Sequence, residues 1–366
     1  MSRSRNSGLE SDLDIIVDRA AAAWKMLGGT RILLTGGSGY FGRWLAAAID
    51  HADRRLGLGC TLAVVARRPG ALFECCPFLA DSPSIELIAA DVRSMPLPAG
   101  PITHIIHAAT AVERQSSTPD DETVDVCHAG TRRVMEIAAE KSVAGVLVTS
   151  SGAVYGPQPA DVDRLPESHR SGEPPRTAYA EGKLLSERVA AEAATEGVPV
   201  CIARCFAQAG PYLPLDCHFA LGNFVRDSLL GREIVVNGDG RTVRTYLYST
   251  DLVEWLVTLL ARGCRAGEPT CVNVGSEEPI TIADLARLVA DTDHRCGGRS
   301  SAVPVRVAGG GESGVGGTRY VPDCSLARHQ FSLEARVPIA DAVEQMLRWG
   351  RTNGAALLNL TAGIHP

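Results

Sequence analysis

"LLTGGSGYFGRWLAAAI", residues 33–49, is the stretch on which the reading of the whole chain turns. A short apolar run ends in glycines at 36, 39 and 42, and these lead straight into residues with the spacing of an amphipathic helix. Glycine lets such a turn be tight and lets main-chain N–H groups approach a pyrophosphate. The N-terminus of the helix that follows adds a partial positive charge. A glycine triplet alone is weak evidence, but this one sits between a strand and a helix at the head of a sheet, and that context predicts a dinucleotide site. The contacts expected from the loop are Gly36, Gly39, Tyr40, Phe41 and Gly42.

Working outward, "RILLT" (31–35), "LAVVA" (62–66), "IELIAA" (85–90), "ITHIIHAA" (102–109), "AGVLVTS" (144–150) and "VPVCIAR" (198–204) are strands of one type, short and apolar throughout. Helical segments at 39–50, 122–141 and 177–196 lie between several of them. That alternation predicts an α/β fold, a Rossmann-type doubly wound parallel sheet covered on both faces, with a smaller C-terminal α/β substrate lobe. Residues 11–27 read as one added helix, so 1–29 form an N-terminal extension. Residues 30–204, with parts of 240–275, form the cofactor domain. Residues 205–350 form a discontinuous substrate lobe, and 351–366 a tail without a clear role. After Arg204, helices are expected near 222–231, 251–262 and 281–290, with strands at "REIVV" (232–236) and "CVNVG" (271–275). The glycine-rich "AGGGESGVGG" (308–317) reads as a flexible connection.

Bulk properties narrow the function. The 366 residues carry a net charge of −6, which gives no electrostatic reason to expect nucleic-acid binding. No apolar run approaches the roughly 20 residues a membrane helix needs. The first twenty residues are polar and acidic, unlike a signal peptide. The 11 cysteines are scattered, and the adjacent Cys75 and Cys76 lack metal-ligand spacing. Free thiols in a reducing cytoplasm, and no metal site, are the expectation.

At the end of the second strand a carboxylate would bind the ribose 2′-hydroxyl of NAD. The sequence there is "VVARRPG" (64–70), with no acid. Arg67 and Arg68 instead suit a 2′-phosphate, which points to NADP with NAD as the alternative; a solvated pair on a loop is the plainer reading. Asp91 and Val92 of "ADVR" follow the third strand, where an adenine ring would lie. In "TAYAEGK", Tyr179 and Lys183 are four apart and so share a helix face. An ammonium beside a phenol lowers the phenol's pKa and makes a proton donor and acceptor usable near neutrality.

Taken together, "TGGSGYFG", "ADVR", "HAAT", "SSGAVYG", "YAEGK", "NGDGRTVRTYLYSTDL", "VNVGS" and "RYVPD" resemble, in order, the extended short-chain dehydrogenase/reductases of the nucleotide-sugar epimerase/dehydratase branch. The resemblance spans roughly residues 31–345. It implies that Ser151 hydrogen-bonds the substrate oxygen, that Tyr179 exchanges the proton, and that Lys183 binds the nicotinamide ribose and tunes Tyr179. It adds Ala108, Ala109 and Thr110 to the cofactor contacts, leaves His107 packing at a strand end, and implies a homodimer through two helices per subunit.

The resemblance also bears on the reaction. The 4,6-dehydratases of this branch carry an Asp–Glu pair after the catalytic hydroxyl, UDP-glucuronate decarboxylases a glutamate at the second position, and GDP-mannose 3,5-epimerases a cysteine there. Here the residues are Gly152 and Ala153. What remains is hydride transfer with Tyr179 as the only proton carrier. That describes an epimerase acting on a nucleotide-diphosphate sugar, with an NADPH-dependent ketoreductase as the alternative; "SSGAVYG" resembles the former and "VVARRP" the latter. A protein that only binds dinucleotide would not need the Ser–Tyr–Lys set. Arg244 matches the family arginine that meets the diphosphate. A usual asparagine is replaced by Ala207, and Asn223 is a candidate to supply the amide instead, a helix-start or packing role being an equal reading.

Overall fold

The computed structural model describes residues 7–110, 120–170, 172, 174–217, 219–297, 299–309 and 318–362, with side chains described as far as residue 353. The last eight residues of the glycine-rich connection, 310–317, lie outside this set, as do the last four of the tail.

Seven strands form the central sheet: β1 Arg31–Thr35, β2 Thr61–Ala66, β3 Ile85–Ala89, β4 His104–His107, β5 Gly145–Ser151, β6 Val200–Cys205 and β7 Thr270–Val274. Their order is β7-β6-β5-β4-β1-β2-β3, and every pairing is parallel. The fold is therefore the Rossmann type. Strands buried on both faces are mostly apolar, and β5, β6 and all of β1 but Arg31 are buried, with their polar residues, Thr35, Thr149, Ser150, Ser151 and Arg204, at or near the carboxyl ends. The order reverses between β1 and β4, and in open α/β sheets ligands bind at such a reversal, beyond the carboxyl ends of the strands. Register brings particular residues to that edge: Thr35 pairs with His107, and Ser151 with Cys205.

One face is covered by α4 (Asp120–Lys141) and α5 (Ala178–Thr195), which bury Val134, Ile137, Ala138 and Ala190 against Leu33, Ile105 and Val146. The other is covered by α3 (Tyr40–Leu56) and α7 (Ser249–Arg262). The N-terminal segment forms two helices, α1 (Ser7–Arg19) and α2 (Ala21–Met26), where the sequence predicts one. Leu13, Ile16 and Trp24 pack into the same core as Trp44 and Trp255. Two polar ties fix α1 to α7 and its entry: the Tyr248 hydroxyl donates to Asp12 at 2.7 Å, and Arg19 donates to Asp251 at 2.9 Å.

A third core joins α6 (Ala220–Leu229), α8 (Ile282–Arg295) and the first half of α9 (Ile339–Ala362). Ile339, Ala342, Val343, Met346 and Leu347 repeat at helical spacing and explain why α9 forms. The helix continues past residue 350, where the sequence sets the tail apart. Two-residue strands, Gln208–Ala209 with Leu247–Tyr248 and Val243–Arg244 with Ile280–Thr281, tie this region together. Among the described residues no helix is long and apolar enough to cross a membrane, and no group of His, Cys, Asp or Glu is set to hold a metal. None of the 11 cysteines is in a disulfide.

Candidate active site

The glycine loop is closed by contacts of backbone on backbone. Gly36 has φ +74°, and a Cβ there would lie 2.6 Å from the carbonyl of Ala108. A Cβ on Gly42 would lie 2.4 Å from the Gly36 oxygen and the Gly37 Cα. Gly39 is extended, caps α3 without a side-chain bond, and leaves the first N–H groups of the helix to a ligand. This cradle fits a dinucleotide pyrophosphate. Tyr40 and Phe41 offer it main chain only: the Tyr40 hydroxyl donates to the Ala209 carbonyl at 3.0 Å, and Phe41 packs on the core.

At the end of β2, Arg67 and Arg68 are exposed; Arg68 has one distant acidic neighbour, Glu74 at 3.9 Å. Asp91 is gripped by the Arg93 guanidinium at 2.8 and 2.9 Å, which holds its carboxyl down at about 2. Val92 is buried beneath Gly130, where a Cβ would meet it at 2.8 Å. Ala108 and Ala109 are hung on Thr35, whose carbonyl and hydroxyl accept their N–H groups, and Thr110 contacts the Cys127 sulfur. His107 bonds Thr35 through Nδ1 and Thr131 through Nε2. Burial, reinforced by the Lys183 charge, pushes its pKa down to about 3, so it is a neutral strut.

β5 ends at Ser151, whose Oγ accepts the Ala153 N–H at 3.2 Å. Thr177 caps α5 by accepting the Ala180 N–H, so Tyr179 and Lys183 fall on consecutive turns. The buried Lys183 Nζ lies 5.8 Å from the Tyr179 ring centre and donates to the Thr149 carbonyl at 2.7 Å. Behind them Glu187, one turn beyond Lys183, accepts from Ser150 at 2.6 Å and from Arg204 at 2.9 and 2.7 Å. This buried pair clamps α5 to the ends of β5 and β6, and thereby fixes the helix that carries Tyr179 relative to Ser151.

The far wall comes from the C-terminal third of the chain. Arg244 donates to the Val243 and Thr318 carbonyls and has no carboxylate within ion-pair distance among the described residues. Burial pulls its pKa below the ordinary arginine value. Its guanidinium lies 5.6 Å from the ring of Tyr320, which stacks on Phe206 with ring centres 4.5 Å apart. Asn223 is committed elsewhere: its amide donates to the Cys217 carbonyl and accepts from Arg226. Tyr320 and Phe206 are site residues that sequence reasoning did not single out. Their signal was present, Tyr320 in "RYVPD" and Phe206 in "RCFAQAGP", but nothing local marks either as facing Gly152.

A family model described as the NAD dependent epimerase/dehydratase family matches residues 32–275. The chain belongs to that family. Among relatives of this epimerase/dehydratase chain, UDP-glucuronic acid decarboxylase 1 of Arabidopsis thaliana is 27% identical over 322 residues, covering 87% of this chain and 69% of its own. A UDP-N-acetyl-alpha-D-glucosaminuronate decarboxylase of Bacillus cytotoxicus is 31% identical over 183 residues, covering 47% of this chain and 53% of its own. The chain thus spans about half to two thirds of the length of these relatives. Among solved structures, a dTDP-glucose 4,6-dehydratase from Streptomyces venezuelae with NAD bound superposes with a TM-score of 0.74 at 24% identity, over 89% of this chain and 98% of that one.

Proposed function

We propose that this member of the family is a nucleotide-sugar epimerase that works by transient hydride transfer. The observation that carries the reading is the pair Gly152–Ala153. The decarboxylases and the dehydratase it resembles release carbon dioxide or water, and the expected acids beside Ser151 are absent here. Gly152 has no room for one, since even a Cβ would lie 2.5 Å from the Tyr320 hydroxyl and 2.6 Å from Phe206.

The nicotinamide, when bound, takes up and returns the hydride. Tyr179 removes the proton of the sugar hydroxyl being oxidised and later restores it. Ser151 donates a hydrogen bond to the same oxygen as it becomes a carbonyl. Lys183, held by the Thr149 carbonyl, places its Nζ beside the Tyr179 ring. Arg244, a half-buried cation whose hydrogen-bond acceptors among the described residues are carbonyls, suits a diphosphate. Arg67 and Arg68 favour NADP at the ribose end, and their exposure leaves both free to clasp a phosphate. The same pair supports a second reading, an NADPH-consuming ketoreductase. A homodimer through the outer faces of α4 and α5 accompanies either reading, and a monomer in light scattering removes it.

The deciding experiment incubates the protein with UDP-glucose or UDP-glucuronic acid and follows nicotinamide absorbance and product mass. An epimerase returns a product of unchanged mass with no net cofactor consumption. A reductase consumes NADPH in step with product. Loss of carbon dioxide or of water in the product overturns the proposal.

A further inference from the structure

His107 stands between the cofactor side of the site and the helix that carries Tyr179. It ends β4 beside Thr35, the last residue of β1, and is only 3% exposed. Thr35 holds the backbone expected to meet the cofactor: its carbonyl accepts the Ala108 N–H at 3.2 Å, and its hydroxyl accepts the Ala109 N–H at 3.3 Å. Across the ring lie Thr131 of α4 and Ser186 of α5, both buried. Their hydroxyls are 3.0 Å apart, and both donate to the Cys127 carbonyl, at 2.6 and 2.9 Å. Ser186 lies three residues beyond Lys183 on the same helix. Each proton in this chain has one place to go. Burial keeps the imidazole neutral, so it carries a single N–H. The Thr131 and Ser186 protons are taken by the Cys127 carbonyl, which leaves the Thr131 oxygen to accept from His107 Nε2 at 3.0 Å. Nδ1 is then a bare acceptor and takes the Thr35 O–H at 2.8 Å. With the proton on Nδ1 instead, the Thr35 O–H would have no acceptor among the described residues, and an unmade bond in a dry interior is costly.

We propose that His107 is a positioning residue that joins the Ala108–Ala109 backbone to α4 and α5 through one hydrogen-bond chain of fixed direction. The chain runs from the Ala109 N–H to the Thr35 oxygen, from the Thr35 O–H to Nδ1, and from Nε2–H to Thr131, which shares its carbonyl acceptor with Ser186. A second tie runs parallel to it: Lys183 donates to the Thr149 carbonyl, and the Thr149 hydroxyl donates to the His107 carbonyl at 3.1 Å. The peptide that faces the cofactor and the helix that bears Tyr179 and Lys183 are thereby set against a single ring. The two ring nitrogens have separate duties, Nδ1 toward the cofactor and Nε2 toward the helices. This role presupposes a dinucleotide at Ala108–Ala109 and does not presuppose the epimerase reaction.

Two substitutions separate those duties. The short chain of asparagine brings its amide to the place of Nδ1, and the longer chain of glutamine brings its amide to the place of Nε2. His107→Asn keeps an acceptor for Thr35, so NADP and NAD affinity, measured by calorimetry on the full-length protein, should stay within about two-fold. His107→Gln keeps a donor for Thr131 but strands the Thr35 O–H, and it should weaken both cofactors about five-fold, the scale of one hydrogen bond. Thr35→Val keeps the side chain's shape and should weaken them at least as much. Added to Thr35→Val, His107→Gln should cost nothing further, because its effect on the cofactor passes through Thr35. Equal losses in the two His107 variants, a larger loss in His107→Asn, or wild-type protein that binds neither cofactor overturns the positioning role. A variant that fails to fold leaves a measurement on the wild type. With 15N-labelled histidine, the His107 ring, assigned by its through-space contacts to Thr35 and Thr131, should carry its proton on Nε2 and none on Nδ1. A proton on Nδ1, or on both nitrogens at pH 7, overturns the inference. Neither arm uses a sugar nucleotide, so the expected results here beside a failed epimerase assay refute that reaction and leave the chain standing.

Discussion

Two turns in this molecule use glycine where a Cβ will not fit, and they do so against different neighbours. In the loop at 36–42 the obstacle at Gly36 and Gly42 is backbone, Gly36 against Ala108 and Gly42 against Gly36 and Gly37, although Gly37 itself meets the Val64 side chain. In the turn at 152 the obstacle is side chains, the Tyr320 hydroxyl and the Phe206 ring. Backbone cannot yield without dismantling the strand–loop–helix unit, so the first constraint comes with the fold itself. Side chains can be exchanged, so the second belongs to this chain's own chemistry. The cofactor half is thus set by geometry that any dinucleotide-binding sheet must keep. The substrate half is set by which residues happen to be opposite one another.

The largest test of this division is Tyr179→Phe. It keeps the ring and leaves the glycine loop alone, so cofactor affinity measured by calorimetry should survive while turnover falls by about 10²–10⁴-fold. A matching loss of cofactor affinity would show that the two halves are not separable. Next comes the replacement of Arg67 and Arg68 by glutamines. Losing charge-assisted bonds to a 2′-phosphate costs about 1.5–3 kcal/mol, or roughly one to two decades in NADP affinity, with NAD affinity little changed. Equal losses for both cofactors would make the pair a solvated surface feature.

The glycines themselves sharpen the comparison. Overpacking costs about 1–3 kcal/mol, and Gly42→Ala should fall at the upper end because its neighbours are main chain. Gly152→Ala should fall at the lower end, because Tyr320 and Phe206 can give way. Chemical denaturation of both variants checks the ranking, and the reverse order would break the distinction drawn above. The smallest effect is a pH dependence. His107 is held at about 3 in the folded chain, against about 6.5 when unfolded. Its folded pKa is depressed, so its contribution is present above pH 6.5 and is lost as pH falls toward 3. Between pH 7.5 and 5.5 that loss is about 1 kcal/mol, and His107→Gln should flatten it in urea melts.

Strands that are buried on both faces announce themselves, and even the half-exposed edge strand β3 was legible, because its run from Ile85 to Ala89 is broken only by Glu86. Tyr179 and Lys183 were legible because their relation is local, one helical turn. Tyr320 was not, because Gly152 and Phe206, which it faces, are far away in sequence and the contact is made by a strap, residues 319–323, pinned to Val243, Gln158 and Leu165. The two-residue strands, such as Val243–Arg244, were beyond reach for the same reason: their pairing defines them, and they are too short to show alternation. The break of the N-terminal helix at Ala20 was also hidden, since "RAAAAWK" continues the apolar helical pattern and no glycine or proline marks the interruption. Asn223 had the right chemistry for a substrate amide, but its two polar ends were taken by Cys217 and Arg226.

The strap has a consequence for how the protein comes into being. A chain emerging from the ribosome presents the glycine loop first, then Ser151, then Tyr179 and Lys183, all before the strap is made. Domains tend to fold as their residues emerge. The nascent chain therefore forms its glycine loop and the helix of Tyr179 and Lys183 while the place in front of Gly152 still faces water, and synthesis of the strap closes it afterwards. A chain stopped after β7 would carry the loop and the tyrosine–lysine pair with that place open. Making the strap and covering Gly152 are one event.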